Sequence, residues 1–172
     1  KNILNSFAKQ NSTSILYNID IINPLPSIPL LGKHQRENIN LAIKAAQHLI
    51  DINMQDIING IKNIYWPGRN QIILNNPTII FDVAHNEASL IEFIHSIKSL
   101  HIKGKKILLI SIQKTKQINK VTPHLINYFD EIICVSLNDR MYSTKNLRTI
   151  FNNEKHIKIE SNSRDTIQKI IK

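Results

Sequence analysis

The sequence predicts an α/β fold, a small, mostly parallel sheet with crossover helices over residues 70–172, preceded by a helical segment that belongs to a different domain. Three observations predict it. From Thr78 onward, four apolar runs, "TIIF", "KILLIS", "EIICVS" and "HIKIE", are each followed by an amphipathic helical stretch, namely "ASLIEFIHSI", "INKVTPHLINYF", "TKNLRTIF" and "RDTIQKII". Strict alternation of this kind demands parallel strands, because parallel neighbours need long crossovers and cannot be joined by tight turns. Upstream, two helical patterns follow one another without an intervening strand, and the stiff aromatic and proline bend "YWPGR" marks the division.

Taken in order, "NILNSFAKQ" reads as a short helix and "SILYNIDI" as a strand. The connection "NPLPSIPLLG" is proline-rich, a stiff extended segment that delivers Leu30 and Leu31 to a fixed place. After Gly32, "HQRENINLAIKAAQHLI" is a strong helical pattern in which Leu41, Ala42, Ala45 and Leu49 recur at the spacing of one face. A second helix, "MQDIINGI", is expected to close at Gly60. "NQIIL" pairs with "TIIF" as a hairpin through the Asn75-Asn76 turn, adding a strand to the sheet. In the helix that follows, Leu90, Phe93, Ile94 and Ile97 form the buried stripe, and Ser89 with Glu92 reads as a capping box.

Hydrophobic residues make up 42% and aromatics 6%, so the core is built mostly from isoleucine and leucine. The formal charge of +9 invites a polyanion partner, but the lysines are dispersed, the densest group is "HIKGKK", and no aromatics interleave with them as base stacking requires. No nucleic acid is therefore expected. The chain is rich in Ile, Asn and Lys and poor in Gly, a bias that AT-rich coding produces by itself. No apolar run approaches the roughly 18 residues of a membrane helix, and "KNILNSFAKQ" lacks the apolar core of a secretory signal, so the expectation is a cytoplasmic protein. The single cysteine, Cys134, lies inside an apolar run and reads as inert packing.

Ligands of parallel α/β sheets gather beyond the carboxyl ends of strands, where helix N-termini present free N–H groups. "FDVAHNEASL" occupies that place: Asp82 ends a strand and His85 and Asn86 fall in the loop, all three expected in solvent.

Three motifs stand in order along the chain: "LLGKHQRENINLA", "WPGR" and "FDVAHN". Together they resemble the Mur ligase superfamily, and within it the folylpolyglutamate synthase and dihydrofolate synthase branch. That branch carries Leu-x-Gly-x-His-Gln-x-x-Asn, Trp-Pro-Gly-Arg and Asp-Gly-Ala-His-Asn at these places. The resemblance implies a Rossmann-like Mur ligase C-terminal domain at 70–172, a linker at 65–69, and in residues 1–64 the C-terminal remnant of the central ATP-binding domain. It also implies an ATP-dependent acid–amino-acid ligase. ATP phosphorylates the carboxylate of a folate or dihydropteroate, and the amine of L-glutamate displaces phosphate to leave an amide, with ATP and Mg2+ as cofactors. Such chemistry needs cationic and dipolar groups around a polyphosphate and an acyl phosphate.

By the same resemblance, Asn38 holds the adenine, since a side-chain amide donates and accepts across a purine edge. Arg69 reaches ribose and phosphates with a permanently charged fork. Asp82 accepts from ribose hydroxyls, while His85, Asn86 and Lys116 place the glutamate. Read without the flanking motifs, Gln35 and Asn38 cap and solvate a helix start, and Arg69 sits in a surface ion pair. Arg140 resembles the family's arginine after the third strand. Two departures stand out. Val83 replaces the family glycine, so the backbone there is either ordinary or strained. Thr115-Lys116-Gln117 replaces the family's Asp-Lys-Asp, which removes both acids.

A Gly-rich phosphate loop ending in Gly-Lys-Ser or Gly-Lys-Thr does not occur in the chain. The phosphate and metal sites are thus expected mainly in an N-terminal ATPase domain of the same enzyme. The chain itself is expected to be a fragment or degraded gene product that stops before the last strand, inactive in isolation. A monomer is expected. The competing reading is a non-catalytic remnant or binding module that keeps the C-terminal fold.

Overall fold

A computed structural model describes residues 2–13, 15, 26–152, 157–160, 165, 166 and 168. The chain divides into two units, Lys1–Pro29 with Lys33–Tyr65, and Leu30–Gly32 with Trp66–Lys172. The predicted strand "SILYNIDI" and most of the predicted helix "RDTIQKII" lie outside the described residues.

The first unit contains helices α1 (Asn2–Gln10), α2 (Lys33–Leu49) and α3 (Met54–Lys62). Its core joins Ile39 and Ile43 of α2 to Ile57 and Ile61 of α3, with Ile28, Ile52 and Ile64 at the margin. This shifts the expected face of α2. Leu41 and Leu49 are 54% and 79% exposed, and Ala42 and Ala45 are exposed beside them. The helix has two apolar faces, and α3 offers β-branched partners to the isoleucine face. Helix α3 begins at Asn53, whose side chain accepts from the Asp56 N–H at 3.0 Å. It does not close at Gly60. Gly60 keeps a helical backbone, and burial of Ile61 carries the helix on to Lys62, where the Asn63 N–H reaches the Asn59 and Ile61 carbonyls.

In the second unit, β1 (Gln71–Asn75) and β2 (Thr78–Phe81) form the expected antiparallel hairpin, with an irregularity between Ile72 and Leu74. It is a sheet of its own. The parallel sheet is three-stranded in the order β3 (Ile107–Ile110), β4 (Glu131–Val135), β5 (Ile157–Glu160). The hairpin meets the same core through side chains, Ile80 and Ala84 packing against it, so the sequence pattern of a buried strand arises without ladder hydrogen bonds to β3. Between the strands run α4 (Glu87–Lys98), α5 (Thr122–Tyr128) and α6 (Thr144–Ile150).

Every residue of β4 is buried, which is why "EIICV" reads as a continuous apolar run and not as an alternation: a central parallel strand is covered on both faces. The stripe Leu90, Phe93, Ile94 and Ile97 of α4 is buried as expected. Helix α5 starts at Thr122, later than its apolar pattern. Pro123 fits only a first turn, and the N–H of Lys120 is already committed to the Glu87 carboxylate at 2.8 Å.

Cys134 lies fully buried in β4, and burial pushes its thiol up to about 12. A thiol-specific disulfide reagent at pH 8 is expected to leave native protein unmodified and to titrate one thiol after unfolding, read by absorbance of the released thiolate. Fast reaction of the native chain would contradict this packing.

Glu131, 8% exposed, opens β4 and pairs with Lys105 ahead of β3 at 2.5 Å and with Lys158 of β5 at 2.7 Å, tying three strands at one end. Hydrogen bonds from Lys105 and Lys158 hold its carboxyl below the usual value. A depressed folded-state value stabilises the fold above the unfolded carboxyl value of about 4.3, and that contribution disappears as pH falls below it. Glu131→Gln is therefore expected to lower stability by about 1–2 kcal/mol at pH 7, discounted because both lysines are more than half exposed, and by much less at pH 3. Urea denaturation at the two pH values checks it; an equal deficit at both would remove the ionic explanation.

Candidate functional site

Of the predicted ligand residues of the second unit, Arg69, Asp82, His85 and Asn86 stand at one junction, where the turn 66–70 meets the segment 81–86, and Lys116 lies outside it. Gly68 has φ 73, and a Cβ built there would stand 2.7 Å from Val83 Cγ1, so the turn approaches the strand end as only glycine permits. The Val83 N–H donates to the Gly68 carbonyl at 3.0 Å. The Asp82 carboxylate completes the lock. Its Oδ2 accepts from the Asn70 N–H and its Oδ1 from the Ala84 N–H, each at 2.7 Å. Val83 is absent from the residues with positive φ, so the departure from glycine causes no backbone strain.

This geometry revises the expectation that Asp82, His85 and Asn86 all face solvent. Only His85 is exposed. Asp82 is half-buried because its carboxylate secures backbone N–H groups of the turn. Asn86 is half-buried because it is the N-cap of α4, its Oδ1 accepting from the Ser89 N–H at 2.9 Å while Ser89 Oγ accepts from the Asn86 N–H at 3.1 Å. The capping box is therefore Asn86 with Ser89; Glu92 takes no part in it. His85 Nδ1 lies 3.0 Å from the Val83 carbonyl, an acceptor only, so Nδ1–H is the donor of this pair.

Arg69 is exposed, and its two neighbours are both held: Gly68 by Val83 and by Gln71 Oε1, Asn70 by Asp82. The loops after β3 and β4 meet one another, the Lys114 N–H donating to the Arg140 carbonyl at 3.0 Å and Gln113 bridging Met141. The first of these loops also reaches the start of α4 through the Lys120–Glu87 bond. Lys116, half-buried, lies in that loop, and Arg140 is exposed in the other. The cations Arg69, Lys114, Lys116, Lys120 and Arg140 on these turns outnumber Asp82, Glu87 and Asp139, a balance suited to anionic ligands.

Asn38 stands in the first unit, exposed on α2. Its Nδ2 donates to Gln35 Oε1 at 3.3 Å, and Gln35 Nε2 lies 2.9 Å from His34 Nε2, which links the three side chains at the start of α2. Among the described residues, no group of three or more His, Cys, Asp or Glu can hold a metal ion. Nor is any helix there long and apolar enough to cross a membrane. Sequence reading passed over Asn70, whose only local signal is its place between a positive-φ glycine motif and a strand.

A parallel α/β layer with cationic turns beyond its strand ends defines a domain of the class whose ligands gather at the carboxyl ends of the strands. The chain belongs to the Mur ligase family: the Mur ligase, glutamate ligase domain matches residues 68–172. A probable bifunctional folylpolyglutamate synthase/dihydropteroate synthase of Haloferax volcanii is 40% identical over 60 residues, covering 34% of this chain and 7% of that one. A probable dihydrofolate synthetase of Schizosaccharomyces pombe is 30% identical over 118 residues, 64% of this chain and 28% of that one. The folylpolyglutamate synthase of Mycobacterium tuberculosis complexed with ADP shares the fold with a TM-score of 0.72 at 21% identity, over 82% of this chain and 33% of that one. The chain thus spans a third or less of the length of these relatives.

Proposed function

We propose that the chain forms part of an ATP-dependent ligase that adds L-glutamate to a folate or dihydropteroate carboxylate. In this reading ATP phosphorylates the acceptor carboxylate, the glutamate amine attacks the acyl carbon, and phosphate leaves as the amide forms. Residues 1–64 belong to the central ATP-binding domain, 65–69 are the linker and 70–172 the glutamate ligase domain. ATP and Mg2+ serve the reaction, with phosphate and metal contacts made by a further ATPase segment; the protein works as a cytoplasmic monomer. The observation that carries the proposal is that the family match covers Arg69, whose two neighbours are pinned, together with Asp82, His85 and Asn86.

Asn38 takes the adenine edge with the amide capacity left beyond its bond to Gln35. Arg69 takes ribose and phosphate oxygens. Asp82 offers ribose hydroxyls the lone pairs that its two backbone partners leave open. His85 Nε2, Asn86 Nδ2 and Lys116 Nζ take the glutamate. The loss of the two acids flanking Lys116 favours a second reading, a binding module without catalysis.

One chimera separates the two. Residues 68–172 replace the matching segment of the Bacillus subtilis dihydrofolate synthase/folylpolyglutamate synthase, a relative 29% identical over 101 residues. ADP release that requires both L-glutamate and the pterin acceptor supports the ligase, and His85→Ala then raises the KM for glutamate more than that for ATP. A folded chimera that binds ATP without glutamate-dependent turnover supports the binding module.

A further inference from the structure

We propose that Asn70 is a positioning residue, which holds the Leu31 carbonyl and the Asp82 carboxylate and thereby fixes the backbone from which Arg69 projects. Asn70 is 4% exposed and has φ 48, a backbone that side chains with a Cβ adopt reluctantly and asparagine tolerates better than most. It makes two anchoring bonds. Its N–H donates to Asp82 Oδ2 at 2.7 Å, and its Nδ2 donates to the Leu31 carbonyl at 3.3 Å, a partner 39 residues away in sequence. Its Oδ1 is buried with no hydrogen-bond partner.

That combination is informative. Glycine would supply the left-handed backbone without burying an unpaired amide oxygen, and aspartate would present no donor to the Leu31 carbonyl. Only the side-chain N–H explains an asparagine here. Through it, Leu30–Gly32 is held in the second unit. On the other side of Arg69, Gly68 donates its N–H to Gln71 Oε1 at 3.1 Å and accepts from Val83 at 3.0 Å. Both residues flanking Arg69 are therefore pinned while its own side chain stays exposed, a fixed base under a solvent-facing cationic head. The consequence for nucleotide affinity rests on the function proposed above for Arg69; the tether itself does not.

The test uses the 172-residue chain, labelled with 15N, and the variant Asn70→Gly, which keeps the left-handed backbone and the N–H to Asp82 but loses the bond to Leu31. Order parameters of the Leu31 and Gly32 amides are expected to fall from about 0.85 to below about 0.6 while those of Val83 and Ala84 stay high. Asn70→Asp, a second variant that keeps the side-chain size, is expected to loosen the same amides. Unchanged order at Leu31 and Gly32 in both variants overturns the tether. Titration with ADP is the second arm. Wild-type binding that weakens at least tenfold in Asn70→Gly supports positioning of Arg69, and wild-type binding that is unchanged in the variant overturns it. Where the chain alone does not bind ADP, the order parameter of the Arg69 amide decides: a fall in Asn70→Gly supports positioning of Arg69 and an unchanged value overturns it.

Discussion

Replacing Asp82 by alanine is expected to destabilise the second unit by about 3 kcal/mol, because one carboxylate secures two backbone N–H groups at once. Hydrogen bonds to a charged acceptor contribute about 1.5–3 kcal/mol each, and a buried donor left unpaired incurs its full desolvation penalty. Asn70 is the buried donor here, its N–H 2.7 Å from Oδ2, and Ala84 lies as close to Oδ1. Partial exposure of Asp82 moderates the sum. Asp82→Asn keeps one oxygen acceptor and is expected to cost about half as much. Chemical denaturation of the two variants is the measurement. Wild-type stability in Asp82→Ala would mean that the carboxylate is free for a ligand and that the turn is held by something else.

The second large effect is expected at Gly68. Gly68→Ala places a Cβ at φ 73 and 2.7 Å from Val83 Cγ1. Left-handed backbone costs a residue with a Cβ roughly 1–2 kcal/mol, and overpacking a site of this kind adds about 1–3 kcal/mol, so a total of about 3 kcal/mol is expected. The two contributions are separable. In the double variant Gly68→Ala with Val83→Gly the contact is gone and the backbone cost remains, so about half of the loss is expected to return. A double variant no more stable than the sum of its parts would show that Val83 plays no part in the need for glycine. The pair also explains the sequence departure at 83. Valine keeps an ordinary backbone there and fills the space beside Gly68, whose own φ of 73 already favours glycine.

Most elements were legible because their signals are local. The apolar runs at 78, 107, 131 and 157 became strands, the stripe of α4 is buried, and the cysteine packs inside β4, since periodicity and run length report how many faces of an element meet the core. The family was legible through the order of three motifs, and its domain matches residues 68–172, which hold the last of them. Errors fell where two segments compete for one partner. Gly60 looked like a helix end until burial of Ile61 extended α3. Leu41 and Leu49 looked like the buried face of α2 until the isoleucines met α3.

By itself, then, the sequence determined the class of fold, the alternation of strand and helix, and the family the chain belongs to. Tertiary structure decided that the hairpin forms its own sheet, that Asn86 caps a helix, and that Asp82 turns its oxygens toward the Asn70 and Ala84 N–H groups. The physical reason is range. Periodicity and turn chemistry act over a few residues, whereas the acceptor that satisfies the Asn70 N–H lies 12 positions away and the carbonyl that meets its side chain lies 39 away, distances over which only the folded chain brings donor and acceptor together.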